Sequence, residues 1–397
     1  MPTPIGLALG VPHPGGDFTD SCACSTSEIP VFIISGRNLE EDHGGLDPFG
    51  NERGQHPRLA TAYVTIGEGL NPEKIHDETL THRKRKKAQV KLVRTELSPQ
   101  PLDHDPWIVK DDIVRHGDNP WVQAIHQQLD QSEERNVCIF VHGYNTEFVE
   151  NTLLAAEIFH YLGRQGVMIS FEWPSESRLL GYIADKGNAT YSTRHFRAML
   201  SNIAKECDVD TITVVGHSAG APIVVNAMRE IRLLEHDLPP EQLQEKYKIG
   251  RVVLAAPDMD LSEFVNGIHD RFYEVATGVA VYASPNDKAL RVSQALYGNK
   301  RLGRAVGDLE SWEKYIINRA SQIEMIDASK AENLYGSFVG HSYFHRDPWV
   351  STDIGAFMLG RTPAERGLER GATNVFWRFP NEYPDRIKQL VNQWSFE

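Results

Sequence analysis

The stretch TITVVGHSAG, Thr211 to Gly220, decides the fold of this 397-residue chain. It opens with a run of β-branched residues, which predicts a buried strand. The strand leads into a G-x-S-x-G motif centred on Ser218. A serine that reacts from the end of a parallel strand sits on a strained turn, where the positions two before and two after it crowd neighbouring backbone and favour glycine. The sequence therefore predicts Ser218 as a nucleophile between a strand and a helix.

The motif alone is weak evidence, so its context carries the prediction. Apolar side chains at i, i+3, i+4 and i+7 predict a helix on each side of the strand. Pro222 suits the first turn of the second helix, whose free N–H groups would lie beside the serine hydroxyl. The two stripes are Phe196, Met199, Leu200 and Ile203 before the strand, and Val224, Ala227, Met228 and Ile231 after it.

Short apolar segments alternate with helical patterns through the rest of the chain. This texture predicts an α/β fold with a mostly parallel sheet covered by helices on both faces, and chemistry at the carboxyl ends of the strands. IEMIDAS, near Ile323, is the last strand candidate. The segments begin at Val137, Val167, Thr211, Arg251, Val279 and Ile323.

The chain before this region divides into two parts. Residues 1–28 are rich in Gly, Pro, Ser and Thr and are interpreted as an arm without its own core, which docks over the active-site mouth or onto a second subunit. The hydrolase domain is predicted over 29–397, with an N-terminal strand region at 29–120. There, IPVFII and LATAYVTI are predicted as strands separated by a polar loop, followed by a strand over Ala88–Leu97 and a surface connection over Ser98–Pro120.

Composition excludes several classes of partner. Asp and Glu total 54 against 41 Lys and Arg, a net charge of −13, which argues against nucleic acid or an anionic membrane. The basic run His82–Lys87 is interpreted as a solvated loop. No apolar run approaches the ~18 residues of a membrane span. No signal peptide is recognisable, and the compartment stays open.

Four cysteines are too few for a disulfide scaffold. Cys138 and Cys207 are predicted to be buried thiols, and Cys22 and Cys24 alone do not make a zinc site. The sequence predicts no metal and no cofactor.

A reactive serine needs a base, and the base needs an orienting carboxylate, in the chain order serine, acid, histidine. Asp258 and Asp287 both follow predicted strands. Asp287 is favoured as the acid because its strand comes after that of Asp258, although either carboxylate could simply cap a helix. His341 is the predicted base, being the first histidine after the last strand candidate, and His345 is its competitor.

An oxyanion hole would complete the site. The N–H of Ala219 is one predicted donor. The second is the N–H of Tyr144, in the loop after the strand VCIFV, where Gly143 allows a close turn. His142 is interpreted as a structural hydrogen-bonding residue. A possible cap is predicted over 174–192, and the proposed pocket residues are Gly143, Asn145, His217, Trp173, Leu180 and Tyr182.

Several of these segments together resemble a known family. FVHGYNT, WPS, LLGY, GHSAG, YASPND and GHSYF are similar to a bacterial esterase/lipase-like group of α/β-hydrolases long catalogued as a domain of unknown function. The resemblance spans about Ile29 to Phe344 and implies Ser218, Asp287 and His341 as a catalytic triad. Within this group the length and N-terminal extension resemble those of carboxylesterases that de-esterify sulfonylurea herbicides.

The expected function is therefore that of a serine carboxylesterase. It would hydrolyse small esters through an acyl-enzyme, among them the alkyl ester of an aromatic carboxylate, and would form a homodimer through its arm. A lipase, lactonase or amidase on the same triad is the alternative. Two further alternatives are a non-catalytic binding protein of the same fold and a metal enzyme whose ligands come from HSYFHRD.

Overall fold

A computed structural model describes residues 28–40, 45–67, 89–98, 119–175, 182–330 and 340–394. Within these ranges an eleven-stranded sheet is flanked by helices. The strands are β1 (Ile29–Leu39), β2 (Phe49–Gly67), β3 (Gln89–Leu97), β4 (Asn136–Val141), β5 (Val167–Glu172), β6 (Thr211–His217), β7 (Ile249–Ala255), β8 (Gly278–Ala283), β9 (Ile323–Asp327), β10 (Glu369–Arg370) and β11 (Phe376–Arg378).

The helices connect these strands and cover the sheet. They are α1 (Pro120–Asp130), α2 (Phe148–Tyr161), α3 (Tyr182–Glu206), α4 (Ala221–Leu234), α5 (Pro240–Tyr247), α6 (Leu261–His269), α7 (Lys288–Tyr297), α8 (Ser311–Arg319), α9 (Tyr343–Arg346), α10 (Pro348–Met358) and α11 (Tyr383–Trp394).

The sheet is mostly parallel and is buried on both faces. Its order is β10-β11-β9-β8-β7-β6-β4-β5-β1-β2-β3, parallel from β11 to β1, with antiparallel neighbours only toward the two edges. Alternate residues of β4 enter different cores: Ile139 and Val141 pack on one face, Cys138 and Phe140 on the other. The expected α/β-hydrolase architecture, with helices on both faces, is confirmed.

The strand β6 lies between β4 and β7 near the middle of the sheet. Both predicted helical stripes around it are buried: Phe196 and Met199 on α3, Val224 and Met228 on α4. The carboxyl end of β6 is thereby fixed from both sides, and Ser218 follows it directly.

Two strands near the amino end are longer than predicted. β1 and β2 together absorb most of the expected polar loop, leaving only residues 40–48 between them. Their extra residues pair across register shifts at Ser35/Arg37 and Arg37/Leu39. Such bulges break the apolar alternation from which strands are recognised in a sequence.

One further expectation is corrected. IEMIDAS forms β9 but is not the last strand, because β11 adds a parallel neighbour to it and β10 pairs with β11. Both are very short, which leaves little periodicity to detect. Most of the connection predicted over Ser98–Pro120 lies outside the described residues, and α1 begins at its predicted end, where the side chain of Asn119 caps the helix.

The expectations for the cysteines, the N-terminal arm and the basic run fall partly within and partly outside the described residues. Cys138 and Cys207 are buried thiols, and burial raises the pKa of each to about 12. Residues 1–27 of the predicted arm, including Cys22 and Cys24, and the basic run 82–87 lie outside the described residues. Among the helices in the described ranges, none has both the length and the apolar character needed to cross a bilayer.

Gly166 and Gly298 form a matched pair for a test of this packing. Both have left-handed φ, +78° and +74°. A β-carbon on Gly166 would lie 1.9 Å from the Asn136 carbonyl oxygen in the neighbouring strand, whereas none of the described atoms lies within 4 Å at Gly298.

We expect Gly298→Ala to lower the free energy of unfolding by about 1–2 kcal/mol, for its φ alone. Gly166→Ala should lower the free energy of unfolding by about 1–3 kcal/mol more than Gly298→Ala, because the backbone at the start of β4 must also shift to accommodate the new methyl group. Chemical denaturation of both variants measures the difference, and equal losses would contradict the close contact.

Candidate active site

Ser218 occupies a sharp turn between β6 and α4. Its φ is +52°, in the left-handed region that non-glycine residues rarely adopt. Gly220 is sterically required, because a β-carbon there would lie 2.3 Å from the His142 carbonyl oxygen, and a β-carbon on Gly216 would make a tight 3.0 Å contact with the Val224 side chain. The sequence G-x-S-x-G is thus needed for this backbone path, which places Ser218 at the start of α4.

A continuous series of hydrogen bonds joins three side chains from three strand ends. The Oγ of Ser218 lies 2.7 Å from Nε2 of His341, and Nδ1 of His341 lies 2.7 Å from Oδ2 of Asp287. Asp287 follows β8 and His341 lies beyond β9. The structure therefore brings together the three residues that the sequence predicted as a triad, in the predicted chain order.

Asp287 is both a helix cap and the partner of His341. Its Oδ1 accepts a hydrogen bond from the backbone N–H of Leu290, 3.0 Å away, at the start of α7, while Oδ2 faces the imidazole. The carboxylate is fully buried. Because the capping bond fixes one oxygen, the other is held in the direction of His341.

The two competing residues are placed differently. Oδ1 of Asp258 accepts a hydrogen bond from the hydroxyl of Ser293 at 2.6 Å and lies 3.5 Å from Nε of Arg301. The backbone N–H of Asp258 donates to the Ser218 carbonyl at 3.0 Å, so this hydrogen bond to the serine turn comes from the backbone of Asp258 and not from its carboxylate. His345 packs edge-on against Phe344, and burial holds its pKa well below the ordinary value.

Residues 142–146, which we call the oxyanion loop, follow β4 and press against the serine turn. A β-carbon on Gly143 would lie 2.9 Å from Cβ of Ser218. Asn145 has left-handed φ, +54°, and its N–H donates to Oγ of Ser175 at 2.9 Å. Tyr144, between these two residues, is half-buried, as is Ala219 after the serine. The N–H groups predicted as oxyanion donors thus belong to two segments in direct contact.

His217 lies beside the imidazole of His341, with ring centroids 5.0 Å apart. Its Nε2 is 3.3 Å from the His341 carbonyl oxygen, and its ring also packs on Phe344 at 4.5 Å. Burial, and then the charge of His341, lower the pKa of His217 to about 3. A neutral His217 adds no positive charge next to His341.

The other proposed pocket residues have mixed outcomes. Trp173 is corrected: its indole is fully buried, donates to the His142 carbonyl at 2.8 Å and stacks on the His142 ring, so it supports the oxyanion loop and lines no pocket. Leu180 lies outside the described residues, and Tyr182 begins α3.

A cleft opens beside Ala219, between α3, α4 and α6. The predicted cap segment contributes the first turns of α3 to its wall. Apolar groups, among them Ala219, Ile223 and Met259, make up most of its lining, and the polar side chains include Asp185, Thr193, Asn226 and Glu263. This cleft reaches Ala219, the residue after Ser218.

Two buried charges near the site were not predicted. Arg37 and Glu172, near the ends of β1 and β5, are fully buried. Nη2 of Arg37 lies 3.4 Å from Oε2 of Glu172. Their burial could have been predicted from the sequence, because each is a charged residue at the end of a mostly apolar strand segment, IPVFIISGR and VMISFE. Within the described ranges, no group of three or more His, Cys, Asp or Glu residues could hold a metal ion.

The sheet, the strained serine turn and the strand-end residues define the α/β-hydrolase class. Residues 120–359, more than half of the chain, match the family described as an alpha/beta hydrolase of unknown function, DUF900, and the protein belongs to that family. The family resemblance drawn from the sequence motifs is confirmed. No curated protein sequence matches the chain.

Solved structures of esterase B from Lactobacillus rhamnosis show a distant likeness. The form inhibited by a C4-C4 tributyrin phosphonate is 16% identical, with 66% of this chain and 80% of that chain covered and a TM-score of 0.32. The form with a C6-C4 inhibitor is 17% identical, with 57% and 76% covered and a TM-score of 0.31. Similarity at this level carries no argument about the reaction.

The depressed pKa of His217 gives a test of this geometry. Below pH ~6.5 the unfolded chain protonates this histidine, whereas the folded protein does so only near pH 3. The free energy of unfolding should therefore fall with decreasing pH across this window. Replacement by Gln should remove up to about 1.4 kcal/mol per pH unit from that slope.

Urea unfolding between pH 4.5 and 7.5 measures the effect. His236→Gln, at an exposed position, serves as the control. Identical slopes in the wild-type protein and in His217→Gln would show that His217 is not held neutral.

Proposed function

We propose that this protein is a serine carboxylesterase that hydrolyses small carboxylic esters through an acyl-enzyme. The observation that carries the proposal is the unbroken hydrogen-bonded series Ser218–His341–Asp287 at the end of a strained turn. A nucleophile, a base and an orienting carboxylate in this order are what acyl transfer requires.

The first half of the reaction forms the acyl-enzyme. His341 accepts the proton of Ser218 as Oγ attacks the ester carbonyl carbon, giving a tetrahedral oxyanion. The N–H groups of Ala219 and Tyr144 donate to that oxyanion. Collapse expels the alcohol, which takes the proton from His341, and Ser218 remains acylated.

The second half returns the enzyme to its starting state. A water molecule gives a proton to His341 and attacks the acyl carbon, a second oxyanion forms in the same hole, and the acid leaves as Ser218 regains its proton. Buried Asp287 holds Nδ1 of His341 and stabilises the imidazolium formed at each stage.

The cleft beside Ala219 supports a small ester as substrate. Pro222, Ile223 and Met259 give it apolar contact, and Asp185, Asn226 and Glu263 add polar groups. The alkyl ester of an aromatic carboxylate, such as a sulfonylurea herbicide, belongs to the proposal, as does a homodimer formed through residues 1–28. Lipase, lactonase and amidase activities are the competing outcomes of a substrate panel.

Replacing the nucleophile tests the reaction class. We expect Ser218→Ala to abolish hydrolysis of short-chain nitrophenyl esters and of aryl-carboxylate methyl esters, and to abolish labelling by a fluorophosphonate probe, while the circular-dichroism spectrum is unchanged. A long-chain triglyceride, a lactone and an anilide run in parallel identify the preferred bond. Undiminished ester turnover in the variant would refute the proposed nucleophile.

A pair of strand-end carboxylates tests the acid. We expect Asp287→Asn to lower kcat by about 10⁴-fold, because the amide no longer holds the imidazole in the required tautomer. Asp258→Asn is the matched control and should retain kcat within about tenfold, since this side chain binds Ser293 and Arg301 instead. Steady-state kinetics on a nitrophenyl ester compare them, and loss of activity only in Asp258→Asn would reverse the assignment.

A further inference from the structure

Arg37 is fully buried and lies behind the oxyanion loop. Its guanidinium donates from Nη1 to Oδ1 of Asn51 at 2.8 Å and from Nη2 to the Thr146 carbonyl at 2.8 Å. The same Nη2 is 3.1 Å from Nε2 of His142 and 3.4 Å from Oε2 of Glu172. A charge buried this completely requires a compensating charge, which Glu172 supplies.

The hydrogen bonds of His142 define its tautomer. A guanidinium can only donate, so Nε2 of His142, facing Arg37, must be the acceptor. A carbonyl oxygen can only accept, so Nδ1, 2.8 Å from the Gly143 oxygen, must carry the proton. Burial, and then the charge of Arg37, keep the pKa of His142 well below its ordinary value, which maintains the neutral ring.

The Gly143 carbonyl and the Tyr144 N–H belong to one planar, trans peptide unit, in which they point in opposite directions. The carbonyl is held by Nδ1 of His142 and, at 3.2 Å, by the hydroxyl of Thr146. Fixing the carbonyl therefore fixes the direction of the Tyr144 N–H. The preceding carbonyl, that of His142, is held by the Trp173 indole at 2.8 Å.

We infer that Arg37 is a positioning residue for the oxyanion hole: it sets the tautomer of His142, which holds the Gly143 carbonyl and so aims the Tyr144 N–H. The inference rests on the proposed function for its catalytic consequence. Without Arg37, Nε2 of His142 faces Glu172 Oε2 at 3.6 Å. The single proton of the neutral ring could then move from Nδ1 to Nε2, facing Glu172, and in that tautomer the donor to the Gly143 carbonyl is lost.

Kinetics of Arg37→Met on a short nitrophenyl ester give the first test. We expect kcat to fall about 10- to 100-fold with KM changed less than about threefold, since a misdirected donor affects the transition state and removal of a whole donor costs about 10²–10³-fold. Affinity for a trifluoromethyl ketone analogue should fall by the same factor as kcat/KM. His142→Asn, which retains a donor near Nδ1, should lose less than His142→Leu.

Arg232→Met is the matched control for loss of a buried arginine. Arg232 also pairs with a buried glutamate, Glu274, but lies at the far end of α4, about 20 Å along the helix from Ser218. Its variant should lose stability without a change in kcat. A folded Arg37→Met protein with wild-type kcat, or with a loss in KM alone, would overturn the inference.

A measurement on the wild-type protein separates the possible failures. Nitrogen-15 NMR of imidazole-labelled protein should show His142 with a protonated Nδ1 and a bare Nε2, and the opposite tautomer would overturn the inference even if no variant folds. Absence of ester turnover in the wild type, with the expected tautomer present, would instead count against the proposed esterase activity.

Discussion

The contact between two backbones, at the start of α4 and at the end of β4, is the constraint on which the site depends. Gly220 approaches the carbonyl oxygens of His142 and Val141 so closely that a β-carbon would lie 2.3 Å and 2.7 Å from them. This contact fixes the serine turn against the oxyanion loop. A nucleophile and the donors that stabilise its product must be related to within a fraction of an ångström, and adjacent parallel strands with glycine at the junction provide that precision.

The serine turn is strained, and the surrounding structure maintains it. Left-handed backbone at Ser218 costs of order 1–2 kcal/mol, and at Asn145 less, because asparagine tolerates this conformation. The β6 strand is paired on both sides by β4 and β7, and α4 buries a continuous apolar face. Arg37 and Trp173 donate hydrogen bonds to carbonyl oxygens of the loop, and the Asn145 N–H of the loop donates to Oγ of Ser175. The sheet and these hydrogen bonds therefore keep Ser218 and Asn145 in backbone conformations that an unsupported chain would rarely adopt.

Much of this molecule could be predicted from local patterns. Buried parallel strands such as VCIFV and VAVYA are short and wholly apolar, so they predicted a mostly parallel sheet, and the residues after them were candidates for the site. Other parts of the sheet lack this signal: the ends of β1 and β2 are polar and bulged, and β10 has two residues. Arg37 and Trp173 could not be assigned because their roles arise from contacts about a hundred and about thirty residues away.

One measurement tests the central claim most directly, namely that a hydroxyl held on this turn is activated by His341 and served by a two-donor oxyanion hole. It is a crystal structure of the protein after reaction with an alkyl nitrophenyl phosphonate. The account predicts phosphorus bonded to Oγ of Ser218, with one phosphoryl oxygen about 2.7–3.1 Å from both the Ala219 and Tyr144 nitrogens. A phosphoryl oxygen directed away from both nitrogens, or an adduct on another residue, would contradict it.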